Sequence, residues 1–341
     1  MKCSQVAGVL AGCLLIVSSC GDDGSDPVSA EPAVTTDATE PQSGVPDATD
    51  VEALDDVADE TMDGEVIVET TGPEVTDEDA APSAIISLSP TATEMLYAIG
   101  AGDQVLAVED FSNYPPEAAE KMQGISGYEP NVEAIVGLEP DLILTDGTNP
   151  DFLAQLDTLG IAHWEGFAAV SFDDVYEQLE QLGAATGHVA EAAELVGQMQ
   201  ADVAAVKAEL PQLDEPLTYY HELDNTLYSV TSDTFIGAVY DEIGLVNIAD
   251  AVGDGNPYPQ LSAEFIIAEN PDLIFLACTL YCGETADTVA ARPGWDSLDA
   301  LANGGVIEMN DDVASRWGPR IVEYLETTGA AVARVAAVAA G

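Results

Sequence analysis

The chain has 341 residues and a formal net charge of −56, with 63 acidic residues against seven lysines and arginines. Nucleic acid is excluded as a partner, because its phosphates must be neutralised by cations that this chain lacks. A hydrophobic content of 47% excludes a wholly disordered acidic protein. We attribute the acidity to a hydrated surface suited to saline surroundings.

Residues 1–19 have the features of a secretory signal peptide. Lys2 precedes an uncharged stretch at 6–17 that is too short to span a bilayer, and small residues follow it. The segment from Val17 to Cys20 fits the bacterial lipobox, in which the cysteine carries two acyl chains that together give stable anchoring. We therefore expect lipidation at Cys20 and a location outside the cytoplasm, attached to the cell membrane. The alternative is an ordinary signal peptide with an incidental cysteine.

The region 20–82 combines this cysteine with a strongly acidic segment. It holds 20 aspartates and glutamates and no lysine or arginine. Such a segment repels itself and has little apolar surface to bury, so it predicts a disordered tether that lifts the folded part away from the lipid. The remaining 259 residues, 83–341, are enough for two lobes of ordinary size.

An internal repeat organises the folded part. Glu133 and Glu264 each lie seven residues before a proline that is followed by an apolar run, and Tyr128 and Tyr258 lie five or six residues upstream of them. Each copy predicts a short helix with the glutamate in its first turn and then a buried strand. A fainter match comes earlier in each half, where Ser-Leu-Ser at 87–89 and Ser-Val-Thr at 229–231 precede a helix that ends in glycine. Two matches in the same order indicate two structurally related halves.

Strands alternate with helices in both halves, which predicts mainly parallel sheets covered by helices. The fold class is therefore α/β, with two Rossmann-like lobes at 83–187 and 212–341. The predicted strands are Ala84–Leu88, Val105–Val108, Asp141–Thr145 and Ala162–Gly166 in the first lobe and Leu217–His221, Thr226–Val230, Asp272–Ala277 and Val306–Met309 in the second. An apolar stripe at helical spacing predicts one long helix at 188–211 between them, which ends at Pro211. A single helix is a stiff connection, so we expect little hinge closure.

Four motifs resemble the substrate-binding proteins of ABC importers for vitamin B12 and ferric siderophores. They are Ser-Leu-Ser-Pro-Thr-Ala-Thr-Glu at 87–94, Phe-Ser-Asn-Tyr-Pro-Pro-Glu-Ala at 111–118, Tyr-Glu-Pro-Asn-Val-Glu-Ala-Ile at 128–135 and Ser-Arg-Trp-Gly-Pro-Arg at 315–320. The resemblance implies the class III periplasmic-binding fold and a monomeric binding protein that is not an enzyme. It also implies two partners: an ABC permease dimer with its ATPase subunits, and a small-molecule metal chelate as ligand. No cofactor is implied apart from this ligand.

The resemblance also assigns a ligand-binding set. In the relatives that bind vitamin B12, aromatic residues occupy the positions of Phe111, Tyr128 and Tyr258, although the two tyrosines replace tryptophans. Arg316 and Trp317 would lie on a late loop that faces the cleft. The alternative is that the tyrosines are ordinary rim residues and that Arg316 only pairs with acidic groups.

Glu133 and Glu264, already marked by the repeat, match the positions with which the family docks onto permease arginines. A pair of carboxylates related by a pseudo-twofold axis suits a partner with twofold symmetry. Each glutamate could also simply favour its helix N-terminus electrostatically, and this benefit does not exclude docking.

Charge helps to choose the ligand. A ferric catecholate is a multiply charged anion, and only Arg316 and Arg320 are candidates to meet it in a protein that repels anions. A broad, amide-rich corrinoid with little net charge is therefore favoured, while a hydroxamate siderophore and haem stay open. A sensor or scavenger of the same fold without a permease is the other functional class.

Two further observations concern metals and redox chemistry. His163, His188 and His221 are scattered without metal-ligand spacing, and the sequence has no nucleophile elbow or phosphate-binding loop. We therefore predict neither a protein-held metal nor catalysis. Cys278 and Cys282 are the two thiols left after signal removal and lipidation, so an oxidising exterior favours a disulfide between them. Metal binding or a redox role is the alternative for this pair.

Overall fold

The structure is a computed structural model that describes residues 81–253 and 255–340. The predicted signal peptide, the lipidation site Cys20 and nearly all of the acidic tether lie outside the described residues. Among the helices of these two ranges, none combines the length and the apolar character that a membrane span requires.

The first lobe is a four-stranded parallel sheet in the order β2-β1-β3-β4. Its strands are β1 (Ile85–Ser87), β2 (Val105–Val108), β3 (Leu142–Thr145) and β4 (His163–Glu165), and its helices are α1 (Pro90–Ala98), α2 (Pro116–Ala119), α3 (Val132–Val136) and α4 (Pro150–Leu159). The two central strands are buried throughout, as expected for a parallel sheet covered on both faces. A short 3₁₀ helix (Ala101–Gln104) leads into β2.

The second lobe repeats this arrangement, with four parallel strands in the order β6-β5-β7-β8. The strands are β5 (Thr218–Glu222), β6 (Val246–Asn247), β7 (Leu273–Leu276) and β8 (Val306–Glu308). The helices beyond the lobe connection are α7 (Phe235–Glu242), α8 (Ala263–Glu269), α9 (Ala286–Ala290), α10 (Asp299–Ala302), α11 (Asp311–Ser315) and α12 (Ile321–Ala340), with 3₁₀ helices at Ile248–Val252 and Trp295–Ser297. The same strand order in both sheets confirms the prediction of two related parallel-sheet lobes.

One predicted strand is wrong. Residues 226–230 do not join the second sheet, and its edge strand is the two-residue β6 instead. Tyr228 forms an isolated antiparallel bridge with Gln260, and the Ser229 amide donates to the Pro259 carbonyl at 2.9 Å. The apolar and hydroxyl residues of this segment pair with a neighbouring loop, because β6 and β7 occupy the two edges of β5.

One long helix, α6 (Val189–Glu209), connects the lobes, and α5 (Phe172–Thr186) precedes it in the first lobe. Gly187 separates them with a φ of +81°, a left-handed conformation that glycine adopts without steric cost. The helix α6 packs against both α5 and α12. Buried residues from both lobes and from the connection share one continuous apolar cluster, with members that include Met95, Val196 and Tyr240. The lobes are thus held together by a common core as well as by a helix.

Candidate ligand-binding cleft

A cavity of about 380 Å³ lies between the two lobes. Its walls come from loops that follow the carboxyl ends of β1, β2, β3, β7 and β8 and from the loop before α3. Open α/β sheets bind ligands at this edge, and the volume falls within the roughly 300–1,000 Å³ typical of small-molecule sites. Four of the five residues assigned to ligand binding line the cavity: Phe111, Tyr128, Arg316 and Trp317.

The wall of the first lobe is aromatic and open to solvent. Phe111 follows β2 and is 52% exposed, and Tyr128 precedes α3 and is 81% exposed. When a ligand covers large apolar side chains with this much exposed surface, their removal from water stabilises the complex. Both rings line one cavity, so a single ligand can cover them together.

A buried carboxylate holds the Phe111 loop in place. Glu109 is only 2% exposed, and its Oε2 accepts the Phe111 amide at 2.8 Å while Oε1 accepts the Ser112 hydroxyl at 2.8 Å. Ser112 in turn meets the Thr93 hydroxyl, at 2.8 Å between oxygens. Burial raises the pKa of Glu109, and these hydrogen bonds together with the nearby Arg316 oppose that rise. Glu109 lines the cavity and was missed from sequence, although the adjacent carboxylates Glu109 and Asp110 directly after an apolar strand were its signal.

Arg316 lines the cavity, but protein atoms occupy its donors. Nη1 donates to Glu94 Oε1 at 2.8 Å and to Asn113 Oδ1 at 2.9 Å. Nη2 donates to the Phe111 carbonyl at 3.1 Å and to Asp312 Oδ1 at 2.7 Å. All four N–H groups of the two terminal nitrogens are therefore used, three of them by the first lobe. This geometry favours the alternative in which Arg316 pairs with acidic groups of the protein.

Arg320 completes an ion cluster between the lobes. Its Nε donates to Glu94 Oε2 at 2.7 Å and its Nη2 to Glu94 Oε1 at 2.5 Å. Its guanidinium also stacks 4.2 Å from the ring centre of Tyr114. We call Glu94, Arg316 and Arg320 the Glu94 cluster: one buried carboxylate on α1 receives two arginines from the loop between α11 and α12.

Trp317 forms the floor of the cavity between the lobes. Its indole N–H donates to Gln178 Oε1 of α5 at 3.2 Å, and its ring meets Phe235 of α7 edge-on, with 6.5 Å between centres. Contacts with both lobes fix its orientation.

Tyr258, the fifth assigned residue, does not line this cavity. It is 48% exposed on the loop between the 3₁₀ helix after β6 and α8. Besides Trp317, the second lobe contributes the ring of Tyr281 to the cavity. It lies after β7 between Cys278 and Cys282, which the structure joins in a disulfide with 5.1 Å between Cα atoms. Sequence reasoning missed Tyr281 because the repeat has no counterpart for this loop, and the cysteine pair around it was the available signal.

Glu133 and Glu264 occupy equivalent places in the two lobes. Each is the second helical residue after its N-cap, Asn131 for α3 and Ser262 for α8. Both side chains are exposed, and neither forms an ion pair or hydrogen bond with another residue in the described ranges. Because α3 and α8 lead into the equivalent strands β3 and β7, the two carboxylates are related by the repeat.

The cavity is electronegative. Three carboxylates line it, on Glu109, Asp146 and Asp312, against the single guanidinium of Arg316. Within residues 81–253 and 255–340, no three His, Cys, Asp or Glu side chains converge with the geometry of a metal site. The cleft is thus a place for a ligand that brings its own polar groups, and an anion would meet repulsion there.

A model of the periplasmic binding protein family matches residues 85–313, which include both sheets. This chain belongs to that family. A cobalamin-binding protein of Halobacterium salinarum is 34% identical over 253 residues, which cover 72% of this chain and 68% of that one. The ABC transporter substrate-binding lipoprotein YvrC of Bacillus subtilis is 30% identical over 72% of this chain and 78% of its own length. The crystal structure of the vitamin B12-binding protein BtuF of Vibrio cholerae superposes with a TM-score of 0.61 and 28% identity, covering 73% of this chain and 96% of that one.

Family membership confirms the class III periplasmic-binding fold and the broad function predicted from the motifs. The protein is an extracytoplasmic substrate-binding protein of an ABC importer, and it is not an enzyme. Its partners are accordingly a small-molecule ligand and a permease with its ATPase subunits.

Proposed function

We propose that this periplasmic binding protein captures a corrinoid between its lobes and delivers it to the permease. The observation that carries the proposal is the inter-lobe cavity, with Phe111 and Tyr128 on one side and Tyr281 on the other, in a chain 34% identical to a protein named for cobalamin binding. Flat aromatic walls suit a broad ring system, because stacking covers large apolar areas on both partners. One chain supplies both walls, so the protein acts as a monomer.

Electrostatics supports a corrinoid over an anionic siderophore. The cavity carboxylates repel anions, and the terminal nitrogens of Arg316 are already occupied. A corrinoid carries many amide groups whose N–H can donate to Asp146 or Asp312. A ligand as broad as this extends beyond the cavity, and we propose the exposed ring of Tyr258 as an outer contact.

Titration calorimetry of the full chain in detergent tests the ligand. Cyanocobalamin, haem and a ferric hydroxamate are compared in parallel, and cyanocobalamin is expected to bind with a dissociation constant of about 1 µM or below, equivalent to about −8 kcal/mol. Tight binding of the hydroxamate or haem with none of cobalamin would reverse the choice of ligand and leave the fold and transport role intact.

Variants locate the ligand in the cleft. Phe111→Ala is expected to weaken cyanocobalamin about tenfold, as loss of a central aromatic contact does. Leu159→Ala is the matched control, since Leu159 is equally exposed (53%) but lies at the far end of α4. Tyr258→Ala tests the outer contact and is expected to weaken the affinity for cyanocobalamin about threefold. Equal affinity of Phe111→Ala and Leu159→Ala would remove the ligand from this cavity.

We further propose that Glu133 and Glu264 dock onto the permease. Both carboxylates are exposed and unpaired within the described residues, so they are free to meet arginines of a partner with twofold symmetry. A Glu133→Ala/Glu264→Ala protein is expected to keep its ligand affinity and to lose uptake into cells. A Glu191→Ala/Glu269→Ala protein, which also loses two exposed carboxylates, is the control and should transport normally.

The docking experiment also separates transport from sensing. If cells that lack the protein take up the ligand as fast as cells that contain it, a sensor or scavenger role replaces delivery. If both double variants transport equally well, docking lies elsewhere on the surface.

Lipidation at Cys20 completes the proposal. The lipobox sequence and the relative named as a substrate-binding lipoprotein support it. Cys20→Ala is expected to move the protein from the membrane fraction to the soluble fraction, because two acyl chains supply the attachment. Retention of the variant on membranes would refute the anchor.

A further inference from the structure

The loop from Cys278 to Cys282 is fixed in two independent ways. The disulfide closes it covalently. The buried carboxylate of Asp311, 5% exposed, also receives three consecutive backbone amides of the loop: Thr279 at 2.7 Å, Leu280 at 3.1 Å and Tyr281 at 3.1 Å. The Thr279 hydroxyl adds a further bond to Asp311 Oδ1 at 2.9 Å.

The side chains on this rigid backbone point outward. Leu280 is 63% exposed and Tyr281 is 65% exposed, so the loop orders two large apolar side chains without burying either. Only Tyr281 of the two lines the cavity. Its hydroxyl lies 3.4 Å from Asp312 Oδ1, the same oxygen that accepts Arg316 Nη2. The ring is therefore positioned between the disulfide and the Glu94 cluster, opposite the aromatic wall of the first lobe.

We propose that Tyr281 is the principal aromatic contact of the second lobe for a flat-faced chelate, and that the disulfide and Asp311 hold it in its binding position before the ligand arrives. This inference rests on the proposed function and names a contact that the family motifs do not mark. A side chain already held in its bound position loses less entropy on binding, so the rigid loop raises affinity without adding a contact.

The contact and its positioning have different kinetic signatures. Removal of the ring takes away an interaction of the complex and speeds dissociation. Loosening of the loop lowers the fraction of molecules that are ready to bind, which slows association instead. A purely structural role of the disulfide would lower the melting temperature and leave both rate constants unchanged.

The ring is tested with cyanocobalamin as the probe, by surface plasmon resonance on the full chain. Tyr281→Ala is expected to raise the dissociation constant about tenfold, mainly through the dissociation rate. Tyr281→Phe keeps the ring and loses only a hydroxyl with a long contact to Asp312, so its affinity should change by less than about twofold. Leu280→Ala, the equally exposed neighbour outside the cavity, is the matched control and should also stay within about twofold.

The loop is tested by Cys278→Ser/Cys282→Ser and, separately, by reduction of the wild-type protein. Both are expected to slow association about threefold to fivefold while the dissociation rate changes little, in proportion to the smaller fraction of competent molecules. Asp311→Asn, which keeps the size of the side chain but weakens its acceptors, should act in the same direction. Association rates equal to that of the untreated wild type in all three would overturn the positioning role.

The outcomes separate this inference from the proposed function. Wild-type binding of cyanocobalamin with equal affinity in Tyr281→Ala and Leu280→Ala overturns the inference and leaves the corrinoid proposal standing. Absence of wild-type binding overturns both. A selective loss in Tyr281→Ala supports both.

Discussion

The residue that joins the two lobes most directly is Glu94. It is 3% exposed on α1 and receives Arg316 and Arg320, two of the seven cations of the whole chain. A buried ion pair is not automatically a net gain, since both charges lose water, but loss of one partner leaves the others uncompensated. Because cations are scarce, the position of these two arginines is informative. They bind a carboxylate of the opposite lobe and are not left free to bind a ligand in the cleft.

Glu94→Gln is therefore expected to lower the free energy of unfolding by about 3 kcal/mol, the range found when a buried pair loses one charge. Urea denaturation measures it without adding ions. Glu326→Gln, on the exposed face of α12, is the control and should change stability by less than about 0.5 kcal/mol. Equal stability of the two variants would mean that the arginines find other partners when Glu94 is neutral.

At the scale of single residues, Arg316 shows that the sequence could not predict a long-range partner. The motif at 315–320 identified a loop at the cleft, and the structure places that loop there. The partner of Arg316 lies 222 residues earlier, however, and no local pattern links the two. The alternative of pairing with acidic groups could be stated from charge alone, and the hydrogen bonds that favour it come only from the structure.

His221 gives the protein a predictable response to acid. It is fully buried at the end of β5, with its Nδ1 2.8 Å from the Tyr240 hydroxyl and 3.5 Å from that of Tyr324. Burial lowers its pKa from 6.5 to about 3. Between these values the unfolded chain binds a proton that the folded protein does not, so His221 lowers stability by about 1.4 kcal/mol per unit as pH falls.

Comparison with His221→Gln isolates this contribution from the many carboxylates. The difference in the free energy of unfolding, wild type minus variant, is expected to fall by about 3 kcal/mol between pH 7 and pH 4. Urea denaturation at several pH values gives the two curves. Parallel curves would show that the folded protein accommodates a protonated His221.

At the scale of elements, the internal repeat explains most of what sequence predicted. Seven of the eight strands lie where apolar runs placed them, because buried parallel strands are nearly all apolar and stand out. The strand β6 was not predicted. It has two residues and its Val246 is 46% exposed, so the strand has no apolar run from which it could be recognised. Tyr281 was missed for a related reason, since it lies in a loop where the halves differ.

The packing of α5 against α6 predicts opposite changes in stability for two glycine-to-alanine substitutions. A Cβ on Gly183 would lie 2.5 Å from the Cβ of Ala192, so the two helices approach each other here too closely for a side chain. A Cβ on Gly197, exposed on α6, would meet nothing within 4 Å. Gly183→Ala is expected to destabilise the protein by about 1–3 kcal/mol through overpacking. Gly197→Ala should stabilise it by about 0.5–1 kcal/mol through helix propensity.

Thermal and urea unfolding of these two variants provide the measurement, and each is the control for the other. The same residue type changes in both cases, in neighbouring helices. Stabilisation by both substitutions would show that α5 and α6 can move apart at no cost, and the stiffness of the connection between the lobes would then be in doubt.

At the scale of the whole molecule, charge is the dominant feature. Six of the seven cations fall within the described ranges, and five of them contact acceptors of the protein. Lys121 donates to two backbone carbonyls and Lys207 to Glu242, while Arg292 binds Glu222 and Glu284. Apart from the exposed Lys207, these cations act at buried or partly buried sites, and the excess of carboxylates is left on the surface to repel itself.

Salt should therefore stabilise the protein, since it screens this repulsion more than it weakens buried pairs such as Arg316 with Glu94. The Debye length falls from about 10 Å at 0.1 M to about 3 Å at 1 M. The melting temperature is expected to rise steeply with KCl over this range, by about 2–4 °C for each kcal/mol gained, and then to level off. Scanning calorimetry from 0.1 to 3 M KCl measures it. A rise that stays linear to 3 M would indicate exclusion of salt from the surface instead of screening, and a flat profile would show that the surface carboxylates lie too far apart to repel one another.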